Sequence, residues 1–128
     1  MSEVTDPQAW IKRAEEDYLI AQSAIRRKKP LTYIVCFHAQ QCAEKYLKAI
    51  LITQGKDFPK THDLLMLETL CKQIGILVPV DAKQLNILSD HAIRTRYPGE
   101  DPILEECREA LEIAKLVRKF VRKLLGIK

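Results

Sequence analysis

The sequence predicts an all-α protein, an antiparallel up-and-down helical bundle of about five helices. Apolar residues recur three and four positions apart through most of the chain, which is the spacing of one helix face. Only four glycines interrupt the 128 residues, and Gly55, Gly75 and Gly99 fall between the periodic segments. No segment has a convincing strand pattern. Short connections favour antiparallel packing of successive helices, and the length suits a single domain over residues 1–128.

The first two helices have clear ends. Asp6-Pro7 provides an N-cap followed by proline at the first helical position, so helix one begins there and runs to about Arg27. Helix two runs from about Leu31 to Gln54 and is closed by Gly55. Apolar positions cover more than half of the circumference of helix two, which predicts a central place in the bundle.

The other three helices each open on a residue that caps helix N-termini: Thr61, Asp81 and Asp101, the last followed by Pro102. We expect these helices to end near Ile74, Arg96 and Leu125. The apolar stripes of the five helices predict that the following residues are largely buried: Trp10, Phe37, Tyr46, Leu64, Leu67, Leu88, Val117 and Val121.

The composition is that of an ordinary globular protein. Hydrophobic residues make up 47% and charged residues 30% of the chain, which excludes a disordered protein. The apolar runs are too short to cross a bilayer and the N-terminus lacks a signal-peptide pattern, so no membrane partner is expected and the cytoplasm is the expected location. The net charge of +4 is a mild bias, and helix five carries a basic arc that suits either phosphate contacts or simple solvation.

Four cysteines occur at positions 36, 42, 71 and 107. Their spacing fits no zinc ribbon or finger, and the chain has neither a glycine-rich phosphate loop nor a paired-histidine metal motif. We interpret the cysteines as small buried hydrophobic residues in a reducing compartment. No metal, no cofactor and no set of catalytic residues is predicted.

Helix two carries the densest group of polar residues in the chain. At 100° per residue, His38, Gln41, Glu44, Lys45 and Lys48 fall on one arc. A solvated face with ion pairs, such as Glu44 with Lys48, explains part of this pattern. Because the rest of the helix is apolar, we favour a polar strip that lines a groove or an interface.

Two further segments suit phosphate contacts. His62 and Asp63 lie at the start of helix three, where backbone N–H groups and an imidazole favour an anion, although helix capping alone also explains the aspartate. Arg94, Arg96 and Tyr97 lie at the end of helix four, where arginines complement the helix dipole and also suit phosphate and base contacts. We expect this second segment to share one groove with the polar strip of helix two.

Helix one adds a carboxylate and a surface arc. Asp17 lies at the edge of the apolar stripe, where an unpaired charge is costly, so we expect it to pair with a base in the same groove. Ile20 and Ala24 form a second, semi-apolar arc away from the core stripe. One bundle of this size does not cover every side of its first two helices, which predicts a two-fold homodimer.

In this combination the chain resembles the HEPN family, the higher eukaryote and prokaryote nucleotide-binding domains. The resemblance covers nearly the whole chain and rests on segments in the expected order: Trp10, 14–18 (Ala-Glu-Glu-Asp-Tyr), 37–45 (Phe-His-Ala-Gln-Gln-Cys-Ala-Glu-Lys), 47–49, Gly55, Pro59, 61–64 and 95–98 (Thr-Arg-Tyr-Pro). It implies an all-α bundle, usually dimeric, with a polar groove at or near the dimer interface. Many small members resemble partners of minimal nucleotidyltransferases in toxin–antitoxin pairs.

Some branches of the family are metal-independent ribonucleases that use an arginine followed, a few residues later, by a histidine. No arginine of this chain precedes His38, His62 or His91 at the family spacing. The resemblance therefore favours binding over cleavage.

The resulting hypothesis is a HEPN-type dimer that binds a nucleotide or RNA phosphate and regulates a nucleotidyltransferase. The expected ligand-binding residues are Asp17, His38, Gln41, Glu44, Lys45, Lys48, His62, Asp63, Arg94, Arg96 and Tyr97. Two alternatives stay open: a ribonuclease with a non-standard site of His38, His62 and Arg96, and a purely protein-binding dimerisation module.

Overall fold

The computed structural model describes residues 5–94 and 98–128, with the side chains of residues 91–94 excepted. These residues contain five α-helices and no β-strand, which confirms the predicted all-α class. The helices are α1 (Pro7–Arg26), α2 (Thr32–Thr53), α3 (Leu64–Gln73), α4 (Ala82–Arg94) and α5 (Leu104–Leu124). No helix in the described ranges combines the length and the apolarity that a bilayer span requires.

Two of the predicted helix starts are confirmed by their capping contacts. The carboxylate of Asp6 accepts a hydrogen bond from the backbone N–H of Gln8 at 3.0 Å, just ahead of α1. At the start of α4, Asp81 and Gln84 bond reciprocally: each side chain accepts the backbone N–H of the other, at 2.8 and 2.9 Å. Each contact satisfies an N–H group that a helix N-terminus leaves without a partner.

The cap predicted for α3 is wrong. Asp63, and not Thr61, is the N-cap, because its carboxylate reaches two backbone N–H groups of the first turn, those of Leu65 at 3.0 Å and Met66 at 3.3 Å. Thr61 acts one step earlier, where its hydroxyl accepts the backbone N–H of Asp63 at 3.0 Å. The helix therefore begins at Leu64.

The start predicted for α5 is also too early. The backbone N–H of Ile103 donates to the carboxylate of Glu106 at 3.0 Å, and the helix begins at Leu104. The Asp101-Pro102 pair lies ahead of it in non-helical backbone. The side chain three residues into the helix therefore determines where α5 starts.

The central helix is α2, which contacts each of the other four. It is antiparallel to α1: a short turn joins them at one end, and Tyr46 meets Glu15 at the other. It is parallel to α5, because Cys36 lies beside Cys107 near both helix starts and Tyr46 lies beside Arg122 further along. The predicted central place of the second helix is confirmed.

The core lies between α2 and the helices around it. Most of the predicted core residues are completely buried: Tyr46, Leu64, Leu67, Leu88, Val117 and Val121. Trp10 and Phe37, predicted to be largely buried, are partly buried. Trp10 packs edge-on against Phe58 with ring centroids 6.3 Å apart, and Phe37 stacks with the exposed ring of Tyr33 at 5.9 Å. These aromatic rings cover the edge of the core rather than fill it.

Candidate functional site

The other helices leave one side of α2 uncovered between residues 33 and 45. We call it the open face of α2; its exposed or partly exposed side chains are Tyr33, Ile34, Phe37, His38, Gln41 and Lys45. The remaining two residues of the predicted polar strip, Glu44 and Lys48, are buried. The structure therefore divides the strip into an open group and a buried group.

The open group is organised by a carboxylate from α1. Asp17, only 6% exposed, places one oxygen 2.7 Å from Nδ1 of His38 and the other 2.6 Å from Nζ of Lys45. This confirms the predicted pairing of Asp17 with a base. Burial by itself raises the pKa of the Asp17 carboxyl, but the hydrogen bonds from His38 and Lys45, together with the charge of Lys45, outweigh burial and hold this pKa below its usual range.

The ionised Asp17 also determines the state of the imidazole. A carboxylate only accepts hydrogen bonds, so Nδ1 of His38 carries the proton in the 2.7 Å contact. The second ring nitrogen, Nε2, has no hydrogen-bond partner among the described residues, and it either donates or accepts according to the protonation of the ring. The rings of Phe37 and His38 pack edge to face, with their centroids 5.2 Å apart, and this contact supports the orientation of the imidazole.

The buried group is organised by Glu44. This carboxylate accepts hydrogen bonds from Nζ of Lys48 at 3.0 Å, from the amide of Gln40 at 3.1 Å and from Nδ1 of His62 at 2.9 Å. Such a buried charge is tolerable only with this many partners. The ion pair expected for Glu44 and Lys48 is present, but it lies inside the bundle rather than on a solvated face.

Gln40 is a member of this network that the sequence reasoning missed. It is completely buried, donates also to the backbone carbonyl of His62 at 3.2 Å, and accepts from the amide of Gln41 at 2.8 Å. It lies just outside the arc that defined the polar strip, among apolar positions. A glutamine at an otherwise apolar position of a central helix was the available signal, because a buried amide requires partners.

Lys48 lies between two aromatic rings. Its ammonium is 5.3 Å from the ring centre of Trp10 and 5.7 Å from that of Phe58. Together with the Glu44 carboxylate, the two rings stabilise the ammonium group of a side chain that is only 8% exposed. The contacts explain the burial of Lys48, and ligand binding by Lys48 or Glu44 stays a prediction.

His62 and Asp63 connect the start of α3 to α2. The His62 side chain is 73% exposed, yet its Nδ1 reaches the buried Glu44. Asp63 is committed to capping α3. Their part in ligand binding stays a prediction, although His62 presents an imidazole at the protein surface.

Three of the predicted ligand-binding side chains lie outside the described part of the structure. Arg94 is the last residue of α4, and its side chain lies outside the described part of the structure. Arg96 and Tyr97 lie outside the described residues altogether. Their meeting with His38 and Lys45 in one groove stays a prediction.

A third polar cluster was also missed from the sequence. Glu15 of α1 binds the guanidinium of Arg118 through both oxygens, with contacts from 2.6 to 3.2 Å, and accepts the hydroxyl of Tyr46 at 2.5 Å. The hydrogen bond from Arg118 has the largest effect on the pKa of Glu15. It lowers this pKa, whereas burial acts in the opposite direction. Arg122 adds a contact at 3.6 Å. The cluster ties α1, α2 and α5 together.

This cluster changes the interpretation of the basic arc on α5. Arg118 and Arg122 point toward Glu15 and are partly buried, so they are structural cations. Arg118 also lies 4.4 Å above the ring of Tyr18. The exposed cations of the arc are Arg108, Lys115, Lys119 and Lys123.

The protein combines a central helix α2 that runs parallel to α5, a polar face of α2 that no other helix covers, and the sequence motifs around that face. Together these features indicate one class of protein. The chain belongs to the HEPN domain family, whose model matches residues 7–124.

Two similar proteins match over most of their length. Putative toxin MJ1304 of Methanocaldococcus jannaschii is 28% identical over 139 residues, covering 93% of this chain and 90% of the relative. The crystal structure of ST0689, an archaeal HEPN homologue, has a TM-score of 0.66 and 25% identity, covering 92% of this chain and 96% of that chain.

Proposed function

We propose that this protein is a toxin–antitoxin-type HEPN protein that binds the phosphate of a nucleotide or of RNA on the open face of α2. The family and the name of the M. jannaschii relative support the toxin–antitoxin assignment. The ligand assignment rests on Asp17, His38 and Lys45. As the resemblance implies, the protein works as the regulatory partner of a nucleotidyltransferase.

One observation carries the ligand assignment: a single buried carboxylate holds a lysine and a histidine side by side at a partly exposed face. Lys45 and His38 are 20% and 21% exposed, so neither is sealed inside the bundle. Lys45 uses one N–H on Asp17 and keeps two for a ligand, whereas His38 uses Nδ1–H on Asp17 and keeps Nε2, which donates only when it carries a proton. Because both side chains are already ordered, they lose little conformational entropy when a phosphate accepts charge-assisted hydrogen bonds from them.

The test is a calorimetric titration of ATP and of a short single-stranded RNA at low salt. Lys45→Ala is expected to weaken binding by about 1–3 kcal/mol, roughly 5- to 150-fold. The matched control is Lys119→Ala, an exposed lysine of α5 with no ion pair among the described residues, which leaves the affinity nearly unchanged. Equal affinity for the wild type and Lys45→Ala, or no binding at all, contradicts the proposal.

Metal-independent RNA cleavage is the second candidate, and the contact between Asp17 and His38 is the observation that favours it. A carboxylate on Nδ1 fixes one tautomer and leaves Nε2 to move a proton. In that case His38→Ala abolishes cleavage while most of the RNA affinity remains. If RNA stays intact in the presence of the wild-type protein, the cleavage candidate is contradicted and binding is the remaining function.

The nucleotidyltransferase partner is tested by reading the adjacent gene and, where it encodes a nucleotidyltransferase, by co-expressing the two chains. Co-purification of the two chains at a fixed ratio supports the regulatory assignment. Separate elution of two folded proteins contradicts it without affecting the ligand site.

We further propose that two copies pair through the outward stripe of α1. The stripe consists of Glu16, Ile20 and Ser23, exposed on one side of α1, and of the exposed Arg27 that directly follows the helix. Opposite charges lie at its two ends. An antiparallel two-fold pairing therefore sets Glu16 of one copy against Arg27 of the other, with Ile20 against Ser23 between them.

A groove beside this stripe provides the apolar area for such a contact. It has a volume of about 310 Å³ and is lined by Leu19, Ile20, Ser23, Ala24, Arg27, Leu31 and Ile34. Leu19 is 55% exposed, and Ile20 and Leu31 are each 44% exposed. Ala24 is buried, so the surface arc predicted from Ile20 and Ala24 is correct only for Ile20.

Charge reversal tests the pairing. By symmetry the interface contains two Glu16–Arg27 contacts, each worth about 0.2–1 kcal/mol when exposed. Glu16→Arg turns both from attraction into repulsion, which amounts to about 1–4 kcal/mol, roughly 5- to 1000-fold in dimer affinity. The double variant Glu16→Arg with Arg27→Glu restores complementarity. In sedimentation, a wild type that stays monomeric, or a double variant no better than the single one, contradicts the pairing.

A further inference from the structure

Two thiols meet where α2 and α5 start. The sulfur atoms of Cys36 and Cys107 are 3.8 Å apart, although the residues are separated by 71 positions in the chain. Both side chains are completely buried. The contact follows from the parallel arrangement of α2 and α5, which brings the two helix N-termini, and the cysteines within two turns of them, side by side.

The surroundings favour a thiolate at Cys107 more than at Cys42 or Cys71. The hydrogen bond from Cys36 lowers the pKa of the Cys107 thiol against the effect of burial, and the positive end of a helix acts in the same direction. Burial raises the pKa of Cys71 to about 12. Burial and the nearby carboxylate of Asp17 raise the pKa of Cys42 as well. Cys42 and Cys71 therefore stay as inert thiols.

We propose that Cys36 and Cys107 form a reversible disulfide that ties α5 to α2 when the protein meets a small-molecule disulfide. The sulfur separation of 3.8 Å exceeds the roughly 2.05 Å of a disulfide bond, so the two side chains must rotate toward each other to form it. Access is through the first turn of α5, where Ile103 and Leu104 are exposed and helix ends open readily.

The reaction is a two-step exchange. The Cys107 thiolate attacks one sulfur of oxidised glutathione, forms a mixed disulfide and releases one glutathione thiolate. The Cys36 thiolate then attacks the Cys107 sulfur and releases the second glutathione. Two cysteine thiols are oxidised, one glutathione disulfide is reduced to two thiols, and the two cysteine protons pass to the glutathione thiolates.

The cross-link closes a chain loop that contains α3 and α4. Closing a loop of this length restricts the unfolded chain, so the oxidised protein is expected to melt several degrees higher than the reduced protein. A reducing agent reverses the change. The proposal does not depend on ligand binding by the open face of α2.

The test uses the full wild-type chain. It is incubated in oxidised glutathione, denatured, alkylated and weighed by mass spectrometry, and its peptides are mapped. We expect two of the four thiols to escape alkylation and one cross-linked peptide pair that contains Cys36 and Cys107. Because this result comes from the unaltered protein, it does not require any variant to fold.

Variants provide the controls. Cys42→Ser and Cys71→Ser are expected to keep the cross-link and the rise in melting temperature, whereas Cys36→Ser and Cys107→Ser lose both. Four reduced thiols after incubation, glutathione adducts that never resolve, or a cross-link between other cysteines overturns the proposal.

Discussion

Replacing Asp17 by asparagine removes the charge that organises the open group while keeping the size of the side chain. Both Asp17 oxygens accept hydrogen bonds, from His38 at 2.7 Å and from Lys45 at 2.6 Å. An asparagine amide offers one oxygen and turns its NH₂ group toward the other donor. One donor is therefore left without a partner, and the Lys45 ammonium loses its counter-charge.

The expected cost follows from burial. Removing one partner of a fully buried ion pair costs about 3–5 kcal/mol. Lys45 and His38 are about one-fifth exposed, and water replaces part of what they lose. We therefore expect a loss of about 1–3 kcal/mol in the free energy of unfolding. At about 4 °C per kcal/mol for a chain of this size, the melting temperature falls by about 4–12 °C.

The assay is urea and thermal unfolding followed by circular dichroism, with Glu112→Gln as the matched control. Glu112 is an exposed residue of α5 with no ion pair among the described residues, so its neutralisation changes stability by less than about 0.5 kcal/mol. Equal stability of the Asp17→Asn and Glu112→Gln variants contradicts the expected role of Asp17, because it means that the Asp17 contacts contribute nothing.

The effect of Asp17 also depends on pH. Folding lowers the pKa of Asp17 below its ordinary value of 3.8, so its carboxylate stabilises the protein above that pH. This stabilisation is lost as pH falls through the lowered value in the folded protein. The stability difference between the wild type and Asp17→Asn is therefore large at neutral pH and shrinks below about pH 4.

Two other substitutions test the packing. Val117→Asp places an unpaired charge at a completely buried position and is expected to unfold the domain, at a cost of several kcal/mol. The control Leu116→Asp, at a position 38% exposed, is expected to stay folded. An unchanged melting temperature in Val117→Asp contradicts the placement of α5. Glu15→Gln is expected to cost about 1–2 kcal/mol in unfolding free energy, because Arg118 and Tyr46 lose a charged partner. That cost vanishes in acid, since folding lowers the pKa of Glu15; a Glu15 effect that grows in acid contradicts the assignment.

Local chemistry made most of the fold predictable. The spacing of apolar residues and the caps Asp6 and Asp81 are properties of short segments, and they identified five helices. Asp63 and Glu106 shifted two helix starts because the side chain that reaches the first free N–H groups decides where a helix begins. The parallel pairing of α2 and α5 depends on the path of the whole chain, which no local pattern contains.

The site was only partly predictable for the same reason. The position of Asp17 at the edge of an apolar stripe indicated a buried pair, and the structure contains that pair. Gln40 escaped notice because its partners come from α2 and from the loop before α3. Glu15 and Arg118 are 103 residues apart, and only the assembled bundle shows that they meet. Helical spacing identifies which residues share a face, but it does not say which face another helix will cover.

Phosphate binding by His38 and Lys45, held by Asp17, is tested by an NMR titration of the three histidine imidazoles, those of His38, His62 and His91, with ATP. We expect the His38 ring signals to shift to saturation with the affinity found by calorimetry, and Lys45→Ala to weaken this response by the same factor as binding. ATP binding that shifts His62 or His91 and leaves the His38 signals unmoved contradicts a phosphate site at His38 and Lys45.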